Sequence, residues 1–153
     1  MYTNVAQTYA ANQAQGMSKA KQVALVLDRA IASLRDAVDA IEANEIERRL
    51  NSVRLARNIV LTLKGGLDFN QDAELARNLN TVYMTCLDRM TSINTKNDPQ
   101  YAHEVIDLLK PLRDAWHEAA DQLQSEENGA SQPAATSAPQ GEQPPAGGLN
   151  LAT

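Results

Sequence analysis

SKAKQVALVLDRAIASLRDAVDAIEA, residues 18–43, places Val23, Leu27, Ala30, Leu34, Ala37 and Ile41 at intervals of four, three, four, three and four. An α-helix turns once every 3.6 residues, so these six side chains fall on one face and predict an amphipathic helix from about Ser18 to Ala43. Ser18 suits its N-cap, where a hydroxyl accepts from an otherwise unpaired backbone N–H.

The same period recurs three times. Ile46, Leu50, Val53, Ala56, Val60, Leu63 and Leu67 define a second helix from Glu45, and Asn44 with Glu47 resembles a capping box at its start. Gly65 and Gly66 weaken it near its end, and Asn70, Gln71 and Asp72 read as the connection and next cap. Leu75, Leu79, Val82, Cys86, Met90 and Ile93 form the third stripe, which stops at the polar residues Asn94 to Asp98. Asp98 and Pro99 open a fourth helix with Ala102, Val105, Leu109, Leu112, Trp116, Ala119 and Leu123 on one face, and Pro111 inside it removes one backbone hydrogen bond and predicts a kink. Four helices of about 33–39 Å joined by short connections must run antiparallel to their neighbours. The expected fold is all-α, an antiparallel up-down four-helix bundle over residues 18–124.

Residues 1–17 contain Tyr2, Val5, Tyr9 and Met17 among Thr, Asn, Gln and Ala, enough for a short flap or a frayed terminus. Residues 125–153 carry four prolines and four glycines with no Lys or Arg, and predict a disordered tail that cannot offset its ordering entropy. Its Leu149 and Leu151 are either incidental or a short docking motif.

Composition excludes much. A net charge of −5 is the wrong sign for affinity gained by counterion release from phosphates, so nucleic acid is not an expected partner. Aromatic residues, at 4%, are too few for a base-stacking platform. No apolar run approaches a membrane span, and the single Cys86 cannot form an internal disulfide, which together suggest a soluble cytoplasmic protein. No cofactor or metal is expected. His103 and His117, on one helix, are separated by about 21 Å of rise and cannot share an ion; both read as surface residues. A phosphotransfer bundle needs a histidine three residues before Lys64-Gly65, where Leu61 stands. No phosphate-binding glycine loop or catalytic triad spacing occurs, so an enzyme is not indicated. Cys86 reads as a small core residue, and mixed charge runs such as Glu42 to Arg49 read as solvated faces with i,i+4 pairs.

The functional signal is surplus apolar surface. Leu55, Ile59 and Leu63 form a second row on the second helix, and Leu79, Tyr83 and Leu87 do so on the third. Either a wide core face absorbs them, or neighbouring rows create a groove suited to an amphipathic helix from a partner. Residues 1–17, with Tyr9, could cover such a groove until the partner arrives.

In their order these residues resemble the FliS family of flagellin export chaperones over residues 1 to about 120. Tyr9 and Asn12 before Ser18 are similar to its Tyr-x-x-Asn…Ser-Pro element, with Lys19 in the proline's place. Leu27, Asp28, Ala30 and Ile31 resemble its Leu-Tyr-Asp-Gly-Ala stretch, with Leu27 and Arg29 replacing tyrosine and glycine. Leu63…Leu67-Asp68, Asn78-Leu79, Val82-Tyr83, Leu112-Arg113 and Ala115-Trp116 follow in the family's order. The resemblance implies a cytosolic chaperone that binds the C-terminal segment of flagellin, prevents premature polymerisation and delivers it to the flagellar type III export apparatus. Tyr9, Leu55, Ile59, Leu63, Leu79, Tyr83 and Leu87 are the expected partner-binding residues. The alternative is a helical-bundle adaptor for another secretion or regulatory protein.

Overall fold

Four helices account for almost all of the described chain: α1 (Lys19–Glu42), α2 (Ile46–Gly65), α3 (Ala73–Lys96) and α4 (Pro99–Ser131). The computed structural model describes residues 16–131; the flap assigned to residues 1–17, apart from Gly16 and Met17, and the tail beyond Ser131 lie outside them. No strand occurs among the described residues.

Ser18 caps α1 as its side chain predicts, accepting from the Lys21 N–H at 3.1 Å, and Asp72 caps α3 by accepting from the Leu75 N–H at 3.0 Å. Asp98 precedes Pro99 and accepts from the Gln100 N–H at 2.9 Å, so the proline costs nothing in the first turn, where its N–H would have no partner. The turn after α1 differs from its expected form. Asn44 stands at φ 61°, its N–H donates to the Ile41 carbonyl at 3.1 Å, and the Glu45 N–H donates to the Ala40 carbonyl at 2.8 Å. These two bonds make Asn44 the left-handed end of α1, a Schellman turn, rather than the cap of α2. The N-cap of α2 is Glu45, which makes no side-chain cap bond; its carboxylate instead accepts from Arg48 at 2.7 Å.

Each helix packs against two others, α1 on α2 and α4, and α3 on α2 and α4, so the diagonal pairs α1/α3 and α2/α4 stay apart. Cross-helix contacts count in opposite directions along the α1–α2 and α2–α3 seams, as short connections require. Ser33 donates to the Ser52 carbonyl while Asp36 holds Arg48; Arg57 reaches Thr91 while Arg49 reaches Asn97; Asp28 meets Arg113 and His117. The core between them holds Leu27, Ile31, Leu34, Ile59, Met90, Ile93 and Leu109, all essentially inaccessible to water. Burying each such side chain contributes about 1.5–3 kcal/mol.

Some stripe residues do not reach this core. Ile46 and Leu50 are 61% and 38% exposed, because Arg49 takes the inward position at that level. Its guanidinium donates to the side chain of Asn97, the left-handed C-cap of α3 at φ 51°. Leu75, in the first turn of α3, and Leu123, beside Gly16 at the start of α1, lie near helix ends and are 53% and 44% exposed. Helix α4 runs through Pro111 and continues seven residues past Gln124, to Ser131, with Ser125 to Ala130 exposed.

Candidate functional site

Antiparallel packing brings the start of α1, the end of α2, the first half of α3 and the second half of α4 to one end of the bundle. There a cavity of about 470 Å³ opens. Its apolar wall comes from Met17, Val23, Leu63, Leu67, Leu79, Tyr83 and Trp116, and Lys19, Gln22, Thr62 and Gly66 complete the lining. Tyr83 and Leu63 are buried, whereas Leu67, Leu79 and Trp116 are half-buried against the core. The rim is held by local geometry: the Gln22 side-chain amide donates to the Met17 carbonyl at 3.0 Å, and Gly66 ends α2 with its N–H on the Thr62 and Leu63 carbonyls.

An ion cluster fastens α4 against α1 one turn from Trp116. Asp28 accepts from Arg113 at 3.2 Å and lies 2.8 Å from the His117 imidazole, while Arg113 also donates to Asp114 at 2.6 Å. The bonds to Asp114 and Asp28 raise the guanidinium's pKa above its ordinary value. His117, expected at the surface, is therefore a bridging residue; a carboxylate 89 positions away could not be paired with it from spacing. His103 is exposed, as expected.

Of the expected binding residues, the structure gathers Leu63, Leu79 and Tyr83 at the cavity and places Ile59, Leu87 and Leu55 elsewhere. Ile59 is 1% exposed and belongs to the core. Leu87 is half-buried against that core and is not among the residues that line this cavity. Leu55 borders a separate hollow on the α1–α2 seam with Arg29, Ala32, Ser33, Asp36, Asn51 and Ser52. Tyr9 lies outside the described residues. Met17, Val23, Leu67 and Trp116 join the cavity without having been singled out; the spacing assigned the last three to ordinary core stripes, and only the convergence of four helix ends turns them toward a shared opening.

The charge run around Arg48 also bridges helices instead of pairing at i,i+4. Arg48 binds Asp36 on α1 as well as Glu45, and Ser52 donates to the same Asp36 carboxylate. Hydrogen bonds from Arg48, then from Ser52, hold the Asp36 pKa below its ordinary 3.8. A depressed folded-state pKa adds stability that is complete above the unfolded value and is lost as pH falls through the folded one. The pair is exposed, so the effect is small. Urea titrations should give the parent a slightly higher midpoint than Asp36→Asn at neutral pH, with the gap closing below pH 3.8. A gap independent of pH would exclude this linkage.

Among the described residues no group of three or more His, Cys, Asp or Glu is placed to hold a metal ion, and no helix is long and apolar enough to cross a membrane. The described residues thus form a four-helix bundle with a cavity of apolar side chains at one end, a shape able to receive apolar groups of another molecule. The chain matches the model of the family described as flagellar protein FliS over residues 1–123, and it belongs to that family of flagellar secretion chaperones, which are not enzymes. It is similar to the flagellar secretion chaperone FliS of Vibrio cholerae, 27% identical over 105 residues, covering 69% of this chain and 77% of that one. The namesake of Campylobacter jejuni is 29% identical over 119 residues, covering 77% and 93%, and that of Bacillus subtilis 30% over 97 residues, covering 63% and 71%.

Proposed function

We propose that this protein works in the cytosol, binding the C-terminal segment of flagellin, blocking its premature polymerisation and presenting it to the flagellar type III export apparatus. Family membership supports the reading, and the cavity walled by Leu67, Leu79, Tyr83 and Trp116 is the observation that carries it. An amphipathic helix free of its filament neighbours exposes an apolar stripe, and an apolar cavity accepts anchors spaced three or four residues apart. Ordering such a segment costs about 2–5 kcal/mol, which leaves the complex releasable at export. Because α1 begins at the rim, with Met17 on the wall, residues 1–15 are attached where a displaceable cover would need to be; Tyr9 is the proposed contact of that flap.

The test is Leu79→Asp, titrated with a peptide spanning the flagellin C-terminal segment. Leu79 is half-buried, so the fold should persist, as far-ultraviolet circular dichroism would show. A charge in the apolar wall should weaken binding by about 30-fold, in the range of an interface anchor. Unchanged affinity with unchanged helicity would remove the cavity from the binding surface.

A further inference from the structure

Charge is unevenly divided between two helices that do not touch. Helix α2 carries Arg48, Arg49, Arg54, Arg57 and Lys64 against Glu47 alone, within a chain of net charge −5. Helix α4, at the opposite corner, carries seven carboxylates against Lys110 and Arg113. The molecule's own acidic helix therefore cannot neutralise its basic one.

Within α2 the residues Ile46, Leu50, Arg54, Arg57, Leu61 and Lys64 follow one another at intervals of four, four, three, four and three, a single row along about 27 Å of helix. The row lies on the side of α2 that flanks α3, where Arg57 reaches the Thr91 hydroxyl at 3.5 Å. Ile46, Leu50 and Arg54 are exposed, and Arg57, Leu61 and Lys64 are half-exposed. Among the described residues Arg48 and Arg49 have partners within the fold, whereas Arg54, Arg57 and Lys64 form no ion pair. Arg54 and Arg57, three residues apart, repel one another in the free protein. Unpaired like charges between exposed aliphatic side chains break the rules of a solvated helix face, and such departures collect at binding sites.

We propose that this row is a second docking surface, separate from the cavity, for an acidic amphipathic helix of a partner protein. The aliphatic anchors Ile46 and Leu50 at one end and Leu61 in the second half meet the partner's apolar stripe, and the guanidinium groups between them meet its carboxylates. An anionic bilayer is a poorer match: the whole chain is negatively charged, and only three aliphatic groups could enter the lipid.

The probe is a labelled 18-residue designed helix with leucine every three or four residues and glutamate flanking the leucines, compared with its lysine counterpart on the full chain. At about 50 mM salt the glutamate helix should bind at least 10-fold more tightly than the lysine helix, and about 0.5 M salt should remove most of that difference. Arg54→Glu/Arg57→Glu should reverse the preference, a gain that misfolding cannot produce. Leu79→Asp, in the cavity wall and off this row, should leave the glutamate helix bound, so this surface and the flagellin reading stand or fall separately. Equal binding of the two helices, no binding of either, or a preference unaltered by the charge reversal would overturn the proposal. So would adsorption to phosphatidylglycerol vesicles in place of the helix, or charge-dependent self-association through α4 that excludes the peptide.

Discussion

Ile59→Asp should leave the chain without a cooperative native state in water. Ile59 is 1% exposed in the main core cluster, among apolar side chains. Removing a buried aliphatic side chain costs about 2–5 kcal/mol, and an unpaired polar or charged group adds several more. Domains have only about 5–15 kcal/mol in all. Circular dichroism at 222 nm should show a large loss of helix or a urea transition displaced toward zero. Leu87→Asp, at a half-buried position, should keep a clear transition. Ile59 sits in a row read as groove wall, so a binding defect in the aspartate variant would measure unfolding. A native-like midpoint for Ile59→Asp would contradict its place in the core.

The second large effect concerns Cys86. Its side chain is fully buried, and burial alone pushes the thiol pKa up to about 12. Alkylation requires both access and thiolate, and the native fold withholds both. Modification by iodoacetamide near neutral pH should therefore proceed through rare unfolding, at least about 1,000-fold more slowly than in concentrated urea. The rate should rise when core variants lower stability, since it follows the population of opened molecules. Native and denatured rates within tenfold of each other would show that Cys86 is accessible from the folded state.

The four helices were legible because their apolar positions keep one period over the whole length of each element, and Ser18, Asp72 and Asp98 have side chains suited to the caps they form. Asn44 misled because asparagine suits both an N-cap and a left-handed helix end, so its identity alone does not distinguish them. Arg49 was invisible as an inward residue because its reason for pointing inward, the side chain of Asn97, lies 48 positions away. The end of α4 was placed early because residues 125–153 were read together as one tail rich in proline and glycine, yet the helix continues through Gly129 to Ser131. Of the candidate site, spacing could identify Leu63, Leu79 and Tyr83 as surplus apolar surface. It could not separate them from Ile59, since burial is decided by which neighbour covers each row.

The four rods are unequally anchored. Helix α1 sends thirteen side chains fully inside and α3 only five, although both are 24 residues long. Helix α3, which supplies Leu79 and Tyr83 to the cavity, is therefore held by fewer inward side chains than α1, and local opening costs less where fewer apolar contacts must break. Amide hydrogens along α3 should accordingly exchange with solvent sooner than those along α1.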